Sequence, residues 1–270
     1  MKQLSVMLLF LLSFHAKAQE LFVVTEPASN VPSGSIGVNI GQTWMRRQLE
    51  SGYDYHVLPE ITWGLSKNLM VRSTLFISNR SDKLKSEGGS LYAKYRFFSD
   101  DDVHNHLRMA AFGRYSINNS DIHQEAIETM GHNSGYEVGT VVTKLIKKTA
   151  ISSSLSYERA LDNKPGYKFP NSQSNDAINY SLSLGRLMYP KKYTQFKQTN
   201  INIMVEFLGQ RLNDNGKSYL DIVPSIQFIV NSQAKINLAY TKEVYSSMIR
   251  TAPNGIFIKL EYTFFNLTKS

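Results

Sequence analysis

The sequence contains no cysteine, which excludes a disulfide framework, a thiolate metal site and a lipidated N-terminal cysteine. Beyond its first residues it has no run of about 18 apolar residues, the length that a membrane-spanning helix needs. It also has no run of basic residues and no recognisable nucleic-acid motif, so no nucleic-acid partner is expected. Stability must therefore come from backbone hydrogen bonds and side-chain packing.

The first eighteen residues have the features of a secretory signal peptide. Lys2 gives a positive start, Val6 to Leu12 form an apolar run, and Ala16-Lys17-Ala18 is a cleavage site of the small-x-small type. Cleavage after residue 18 would leave 28 basic and 22 acidic residues, a net charge of +6. This mild charge and a mature length of about 252 residues suit one large exported domain.

Twelve segments alternate between apolar and polar residues with a period of two. In TNINIMVEFLGQ, residues 199–210, the side chains of Ile201, Ile203 and Phe207 fall on one face of a strand and that of Asn202 on the other. Each of the twelve segments has one face without a charged residue. An even number of such strands is typical of single-chain bacterial outer-membrane barrels, although one such strand would also suit a soluble sandwich.

The connections between these segments alternate in length. Tight links follow strands two, four, six and ten, at residues 66–68, 99–105, 147–148 and 231–233. Longer polar loops lie between them, at roughly residues 43–54, 79–88, 117–134, 160–175, 211–217 and 246–254. The link at 190–198 is longer than this rule predicts. Short periplasmic turns and longer outer loops are typical of outer-membrane barrels.

The predicted fold is therefore all-β, a closed antiparallel up-and-down transmembrane β-barrel of about 12 strands. We predict a signal peptide at residues 1–18, a periplasmic N-terminal segment at 19–34, the barrel at 35–265 and a C-terminal tail at 266–270. A secreted β-sandwich is the alternative, but it does not need twelve strands with an uncharged face and alternating loop lengths.

The face opposite the uncharged one carries two groups of charged residues. Strands three to five contribute Arg72, Lys94, Arg96, Arg108 and Arg114, and strands six to eleven contribute Glu137, Glu158, Glu206, Asp221 and Glu243. Because strand four lies opposite strand ten in a ring of twelve, a basic wall would face an acidic wall and set the ion preference of the lumen. The alternative is an interior closed by salt bridges among these groups.

Histidines occur in two polar connections. His104 and His106 follow three aspartates in the link after strand four, and His123 and His132 lie in the longest loop. Imidazoles and carboxylates at such spacing could bind a divalent ion weakly, although solvated loops have the same composition. In the longest loop, Asp121 could also cap a short helix that folds inward, and an exposed loop is the alternative.

One stretch raises the possibility of enzyme chemistry. His132-Asn133-Ser134 has the His-x-Ser spacing of outer-membrane phospholipase A, which is also a twelve-stranded barrel. No asparagine partner can be assigned on a neighbouring strand, and the match covers three residues. We therefore expect no enzyme, and lipase activity is a remote alternative.

Two stretches carry a resemblance to a known group. TEPASNVPSGSIG and PEITWGLSKNLMV resemble little-characterised outer-membrane barrels described as transporters, similar to the barrels linked to meta-pathway phenol degradation. The resemblance implies a barrel in the outer membrane of a Gram-negative cell. We accordingly predict a narrow, porin-like passive channel or transporter for small polar or ionic solutes, surrounded by outer-membrane lipid and without a cofactor. The alternatives are a metal-associated barrel and a structural barrel with a filled interior.

Overall fold

The computed structural model describes residues 22–48, 51–80, 83–102, 105–190 and 198–267. Within these ranges, twelve strands account for all the regular structure. They are β1 Ile36–Arg46, β2 Tyr53–Gly64, β3 Leu69–Ser78, β4 Lys85–Asp101, β5 Asn105–Asn118, β6 Ser134–Ile146, β7 Thr149–Leu161, β8 Asp176–Tyr189, β9 Asn200–Leu212, β10 Ser218–Val230, β11 Ala234–Ser246 and β12 Asn254–Phe264. No helix in the described part of the chain is long and apolar enough to cross a membrane.

The twelve strands form one closed barrel. Each strand pairs antiparallel with the next strand along the chain, and β1 pairs with β12 from Ile36 opposite Phe264 to Arg46 opposite Asn254. Closure gives every strand two hydrogen-bonded neighbours, so the sheet has no open edge. The predicted fold is confirmed.

The two faces of the strands are those that the alternation predicts. In β9, Ile203 is half exposed on the outer surface, whereas Asn202 and Glu206 are completely buried inside the barrel. The same alternation holds in β10, where Asp221 and Gln227 point inward. Apolar side chains therefore cover the outside of the barrel and polar ones line its lumen.

Short turns join the strands at one end of the barrel. Between β10 and β11, Asn231 and Ser232 both have positive φ, 53° and 57°, and the Gln233 amide donates to the Val230 carbonyl at 3.1 Å. Two successive residues with positive φ make a type I′ turn, which matches the twist of paired strands. The longer connections lie at the other end, as predicted, and the link between β8 and β9 is the exception that the sequence already indicated.

The chain before β1, residues 22–34, is called here the N-terminal segment, and it does not lie outside the barrel. Phe22, Val23 and Ala28 are buried against inward-facing side chains, whereas we predicted a periplasmic segment. The segment passes close to Gly64 at the end of β2, where an added Cβ would lie 2.1 Å from the Pro32 carbonyl oxygen. Glycine is therefore required at position 64 for this close approach.

The loop between β5 and β6, residues 119–133, also folds into the lumen. Ala126 and Ile127 are buried there beside Leu212 of β9. The inward fold agrees with one of the two predicted alternatives, but the predicted helix after Asp121 is wrong, since the loop is irregular throughout. The signal peptide and His104 lie outside the described residues.

Candidate functional site in the barrel lumen

A chamber of about 420 Å³ lies inside the barrel. The N-terminal segment borders it on one side and the β5–β6 loop on another, and the strands supply the rest of its lining. The polar side chains of the lining come from many strands: Asp54, Arg72, Arg114, Glu137, Glu158, Asn179, Gln210, Asp221, Lys259 and Glu261. Apolar side chains, among them Leu58, Phe112 and Phe257, complete the lining, so a small solute would meet donors and acceptors as well as apolar surface.

Glu206 of β9 binds the backbone of the N-terminal segment. Its carboxylate accepts hydrogen bonds from the amides of Val23 at 3.1 Å, Val24 at 3.1 Å and Thr25 at 2.7 Å. A carboxylate that accepts several backbone amides makes charge-assisted hydrogen bonds, which are about twice as strong as neutral ones. The acidic side of the lumen is thus attached to the segment through backbone donors.

Glu26 of the same segment binds the opposite, basic side. Its carboxylate pairs with the guanidinium of Arg72 and lies 3.2 Å from Lys94 Nζ. Burial alone would raise the pKa of Glu26, but the positive charges of Arg72, Lys94 and Lys259 hold it well below its usual value. The segment therefore lies between the two sides of the lumen. Its backbone amides bind the acidic side, and its Glu26 carboxylate binds the basic side.

The two predicted walls also meet along the sheet. Arg72, Tyr92, Arg114, Glu137 and Glu158 are register partners on the consecutive strands β3 to β7 and form one row across the lumen surface. Arg114 Nη1 lies 3.5 Å from Glu137 Oε2, where the basic half of the row gives way to the acidic half. The charges are therefore compensated at this boundary as well as facing each other across the barrel.

The remaining predicted lumen residues have local partners. Arg108 bonds to Asp101 at 2.9 and 3.0 Å and to the Ser29 hydroxyl at 2.9 Å. Arg96 donates to the Lys67 carbonyl at 2.8 Å. Arg250, from the loop before β12, binds Asp221 at 2.6 and 2.7 Å and Glu243 at 3.2 Å, so these three residues form one charged cluster.

Side chains of the wall fix the β5–β6 loop in the lumen. The Gln210 amide binds both backbone groups of Ile127, and Glu158 accepts the Thr129 amide at 2.6 Å. Glu125 binds Lys217 at 2.6 Å and accepts the Ile249 amide at 2.9 Å. Burial would raise the pKa of Glu125, but these hydrogen bonds lower it.

His132 of the loop is enclosed by charged groups. Arg80 Nη1 lies 2.6 Å from its Nδ1, and Glu128 Oε2 lies 3.3 Å from its Nε2. Because a guanidinium can only donate, Nδ1 is the acceptor and the neutral ring carries its proton on Nε2. Burial and the positive charge of Arg80 lower the pKa of His132. The ring also packs against His56, with 5.1 Å between centroids.

Of the histidines predicted to bind metal, His106, His123 and His132 lie among the described residues and each has a carboxylate beside it. His106 lies beside Asp101 at 3.2 Å and His123 beside Asp121 at 3.8 Å, each with a single carboxylate. In the described ranges, no group of three or more His, Cys, Asp or Glu residues is arranged to hold a metal ion. The Nδ1 lone pair of His132 is already bonded to Arg80, so it is not available as a ligand.

The His132 and Ser134 pair does not form a nucleophilic arrangement. Ser134 Oγ donates to the Asn118 carbonyl at 3.1 Å and accepts the Asn118 amide at 2.9 Å. His132 is bonded instead to Arg80 and Glu128 inside the lumen, away from the outer surface where a lipid substrate would lie. A serine nucleophile needs a base within hydrogen-bond reach, so the geometry does not support the lipase alternative.

Several side chains that shape the chamber were missed by sequence reasoning. Glu26, Arg80, Gln210 and Arg250 belong to this group, and three of them lie outside the strands. Residues in connections follow no period that would mark them as buried, so the pattern gave no sign of them. Gln210 belongs to the inward set of β9, and its position in that alternation is the signal that could have found it.

No protein-family model matches the sequence, and no curated protein matches it. Among solved structures, the chain is similar to an outer membrane channel from Pseudomonas putida F1, with a TM-score of 0.57 and 11% identity over 90% of this chain and 99% of that one. Weaker likeness exists to OccD3 (OpdP) of Pseudomonas aeruginosa, with a TM-score of 0.42 and 7% identity over 94% and 97% of the chains. Likeness to Salmonella typhi OmpF in complex with daunomycin has a TM-score of 0.39 and 8% identity over 85% and 97%.

Proposed function

We propose that the protein is an outer-membrane β-barrel that acts as a narrow passive channel for small polar or ionic solutes. The observation that carries the proposal is the chamber of about 420 Å³, lined by charged, polar and apolar side chains, inside a closed twelve-stranded barrel. The fold likeness to the Pseudomonas putida channel supports it. The resemblance to the phenol-degradation barrels stays a prediction.

The outer surface supports a membrane location. Outward side chains such as Leu75, Leu91, Leu155, Ile203 and Ile256 are apolar and exposed on strands all around the barrel. A closed barrel satisfies every backbone group between its strands, which is the condition for a β-structure to lie in lipid. The signal peptide predicted at residues 1–18 would export the chain toward the outer membrane.

The charged lumen residues are the selectivity elements of the proposed channel. They are Arg72, Lys94, Arg96, Arg108 and Arg114 on one side and Glu137, Glu158, Glu206, Asp221 and Glu243 on the other. Their position on the inward face supports this role, because charges that line a low-dielectric passage determine which ions enter it. The ion pairs described above confine the influence of each charge to a short range. The ion selectivity at a given depth in the lumen therefore depends on the charges at that depth.

A structural barrel with a filled interior is the second candidate. The observation in its favour is that the N-terminal segment and the β5–β6 loop both occupy the lumen and are bonded to its walls. Solutes could then pass only if the N-terminal segment, the β5–β6 loop or both moved out of the lumen. The two candidates differ in a measurable way, because a filled barrel conducts no ions in any state.

The deciding experiment is single-channel conductance of the refolded mature protein in a planar bilayer, together with swelling of liposomes in small sugars and amino acids. Wild type is compared with a double variant, Glu206→Leu with Gln210→Leu, that weakens both occupants of the lumen. Discrete openings in wild type, enlarged in the double variant, support the channel. Silence of both proteins, with correct folding shown by circular dichroism, would overturn it.

A further inference from the structure

The carboxylate of Glu26 lies in a cationic site that belongs to the barrel wall. Arg72 of β3 and Lys94 of β4 both bind it, and these two cations are 7% and 1% exposed. Glu26 itself is not part of the wall, since it lies in the N-terminal segment. The wall thus provides two buried positive charges, and a separate piece of chain provides the anion.

Lys94 depends on the segment for its bonding. Its Nζ lies 3.2 Å from Glu26 Oε2 and donates to the Pro27 carbonyl at 2.7 Å. Among the residues that the structure describes, both hydrogen-bond partners of Lys94 come from the segment. Glu60, a carboxylate of the wall near Arg72, is already paired with Lys259 at 3.2 Å. A buried ammonium without a partner is strongly disfavoured, so this position favours an anion whenever the segment moves away.

A third donor lies beside the two cations. Tyr92 is 2% exposed, lines the chamber and packs its ring between the guanidinium groups of Arg72 and Arg114, 5.6 and 5.4 Å from the ring centroid. Its hydroxyl has no hydrogen-bond partner in the described part of the chain. A guanidinium, an ammonium and a phenol hydroxyl are a donor set that suits a planar carboxylate.

We propose that Arg72, Lys94 and Tyr92 form a binding site for a small monocarboxylate solute, and that Glu26 occupies this site as an intramolecular substitute. The inference deepens the proposed channel function by naming its solute class, and its meaning for transport rests on that function. A carboxylate that replaces Glu26 removes the ionic contact between the segment and β3–β4. The solute thereby weakens the attachment of the segment that borders its own chamber.

Chemical rescue tests the site without requiring transport. Glu26→Ala in the full mature protein leaves the two cations without their carboxylate. Propionate should raise its unfolding temperature saturably, by about 5 °C or more at concentrations well above the dissociation constant. Propionamide, and chloride at equal ionic strength, should not. The wild type should respond only at much higher propionate concentrations, because Glu26 competes for the site.

Glu125→Ala is the matched control, because it also removes a carboxylate from an ion pair, with Lys217, whose side chain is 38% exposed. Equal responses of the two variants, or equal effects of propionate and chloride on Glu26→Ala, would overturn the site. If Glu26→Ala does not refold, Glu26→Gln keeps the shape of the side chain and is tested in the same way. An absent propionate response in Glu26→Gln also overturns the proposal.

The two proposals fail separately. A protein that conducts in bilayers but whose Glu26 variants ignore propionate retains the channel function and loses the carboxylate site. A protein that is silent in bilayers but whose Glu26 variants bind propionate saturably retains the site and loses the channel function.

Discussion

Gln210 of β9 pairs with Ile127 of the β5–β6 loop through both backbone groups of the isoleucine. The Ile127 amide donates to Gln210 Oε1 at 2.9 Å, and Gln210 Nε2 donates to the Ile127 carbonyl at 2.7 Å. The side-chain amide thus takes the place of a neighbouring strand for one residue of an irregular loop. Because these groups are buried, they must be bonded to a side chain wherever the loop lies in the lumen.

Gln210→Leu should release the β5–β6 loop from the lumen. The substitution leaves a buried amide and a buried carbonyl without partners, at a cost of about 3 kcal/mol, which favours the released loop on the order of 100-fold. We expect a larger single-channel conductance in planar bilayers. Gln227→Leu is the control, because Gln227 is equally buried but bonds to the wall residues Asn202 and Asn237 rather than to the loop. An equal conductance change in both variants contradicts the prediction.

Glu206→Gln should loosen the N-terminal segment. A glutamine offers one acceptor oxygen and an NH₂ group that faces the amides of Val23 to Thr25, in place of a carboxylate with charge-assisted bonds. Loss of about 1.5–3 kcal/mol should speed hydrogen exchange of these amides by roughly 10- to 100-fold, measured by mass spectrometry.

Glu261→Gln provides the comparison for that measurement. Glu261 is also a lumen carboxylate, but its partners are Lys235 at 3.7 Å and Asn237 at 2.7 Å rather than the segment. Exchange at residues 23–25 should remain at the wild-type rate in this variant. Unchanged exchange in Glu206→Gln would show that the three hydrogen bonds do not attach the segment.

Acid should release the β5–β6 loop through His132. Arg80 donates to Nδ1, so protonation of that nitrogen would place two positive donors against each other. The pKa of His132 is lowered by burial and by Arg80, so the released ring binds protons more tightly than the enclosed one. The inward loop is therefore fully stable above about pH 6.5, the ordinary histidine value, and loses stability as the pH falls below it.

Conductance between pH 7.5 and 4.5 measures this effect. Wild type should show increasing opening below about pH 6.5. His132→Gln, which cannot be protonated, should lose this pH dependence, whereas His123→Gln should keep most of it, because His123 is half exposed and forms its ion pair with Asp121. A pH dependence that persists in His132→Gln would assign the effect to another group.

The barrel could be predicted because each strand carries its own information. The period-two pattern of β9 assigns Ile203 outward and Asn202 inward without reference to any other strand, and the structure agrees. The lengths of the connections are also local information. A short link predicts that two consecutive strands pair antiparallel, because such strands need only a short turn between them. Local pattern and global fold are consistent here, as expected for a minimally frustrated sequence.

The contents of the lumen could not be predicted, because they depend on contacts between distant residues. Val23 and Glu206 are 183 positions apart, and Ile127 and Gln210 are 83 apart. The stretch IHQEAIET in the β5–β6 loop has a helical composition, yet the amides of Ile127 and Thr129 bond to side chains of the barrel wall instead of forming a helix. Tertiary hydrogen bonds outweigh a helix propensity of a few tenths of a kcal/mol per residue.

Reversal of two basic lumen residues should change ion preference. Arg96 and Arg108 lie near the end of the barrel with the short turns. Arg96→Glu combined with Arg108→Glu should shift the reversal potential in a KCl gradient toward cations, with a rise of about two-fold or more in relative potassium permeability.

Lys83→Glu with Lys168→Glu is the control, because it makes the same charge change in exposed outer loops. At 1 M salt the Debye length is about 3 Å, so the loop control should have no effect there, whereas the lumen variant keeps its shift in the confined passage. Equal reversal potentials for wild type and the lumen variant at 0.1 M and 1 M salt would remove these arginines from the selectivity mechanism.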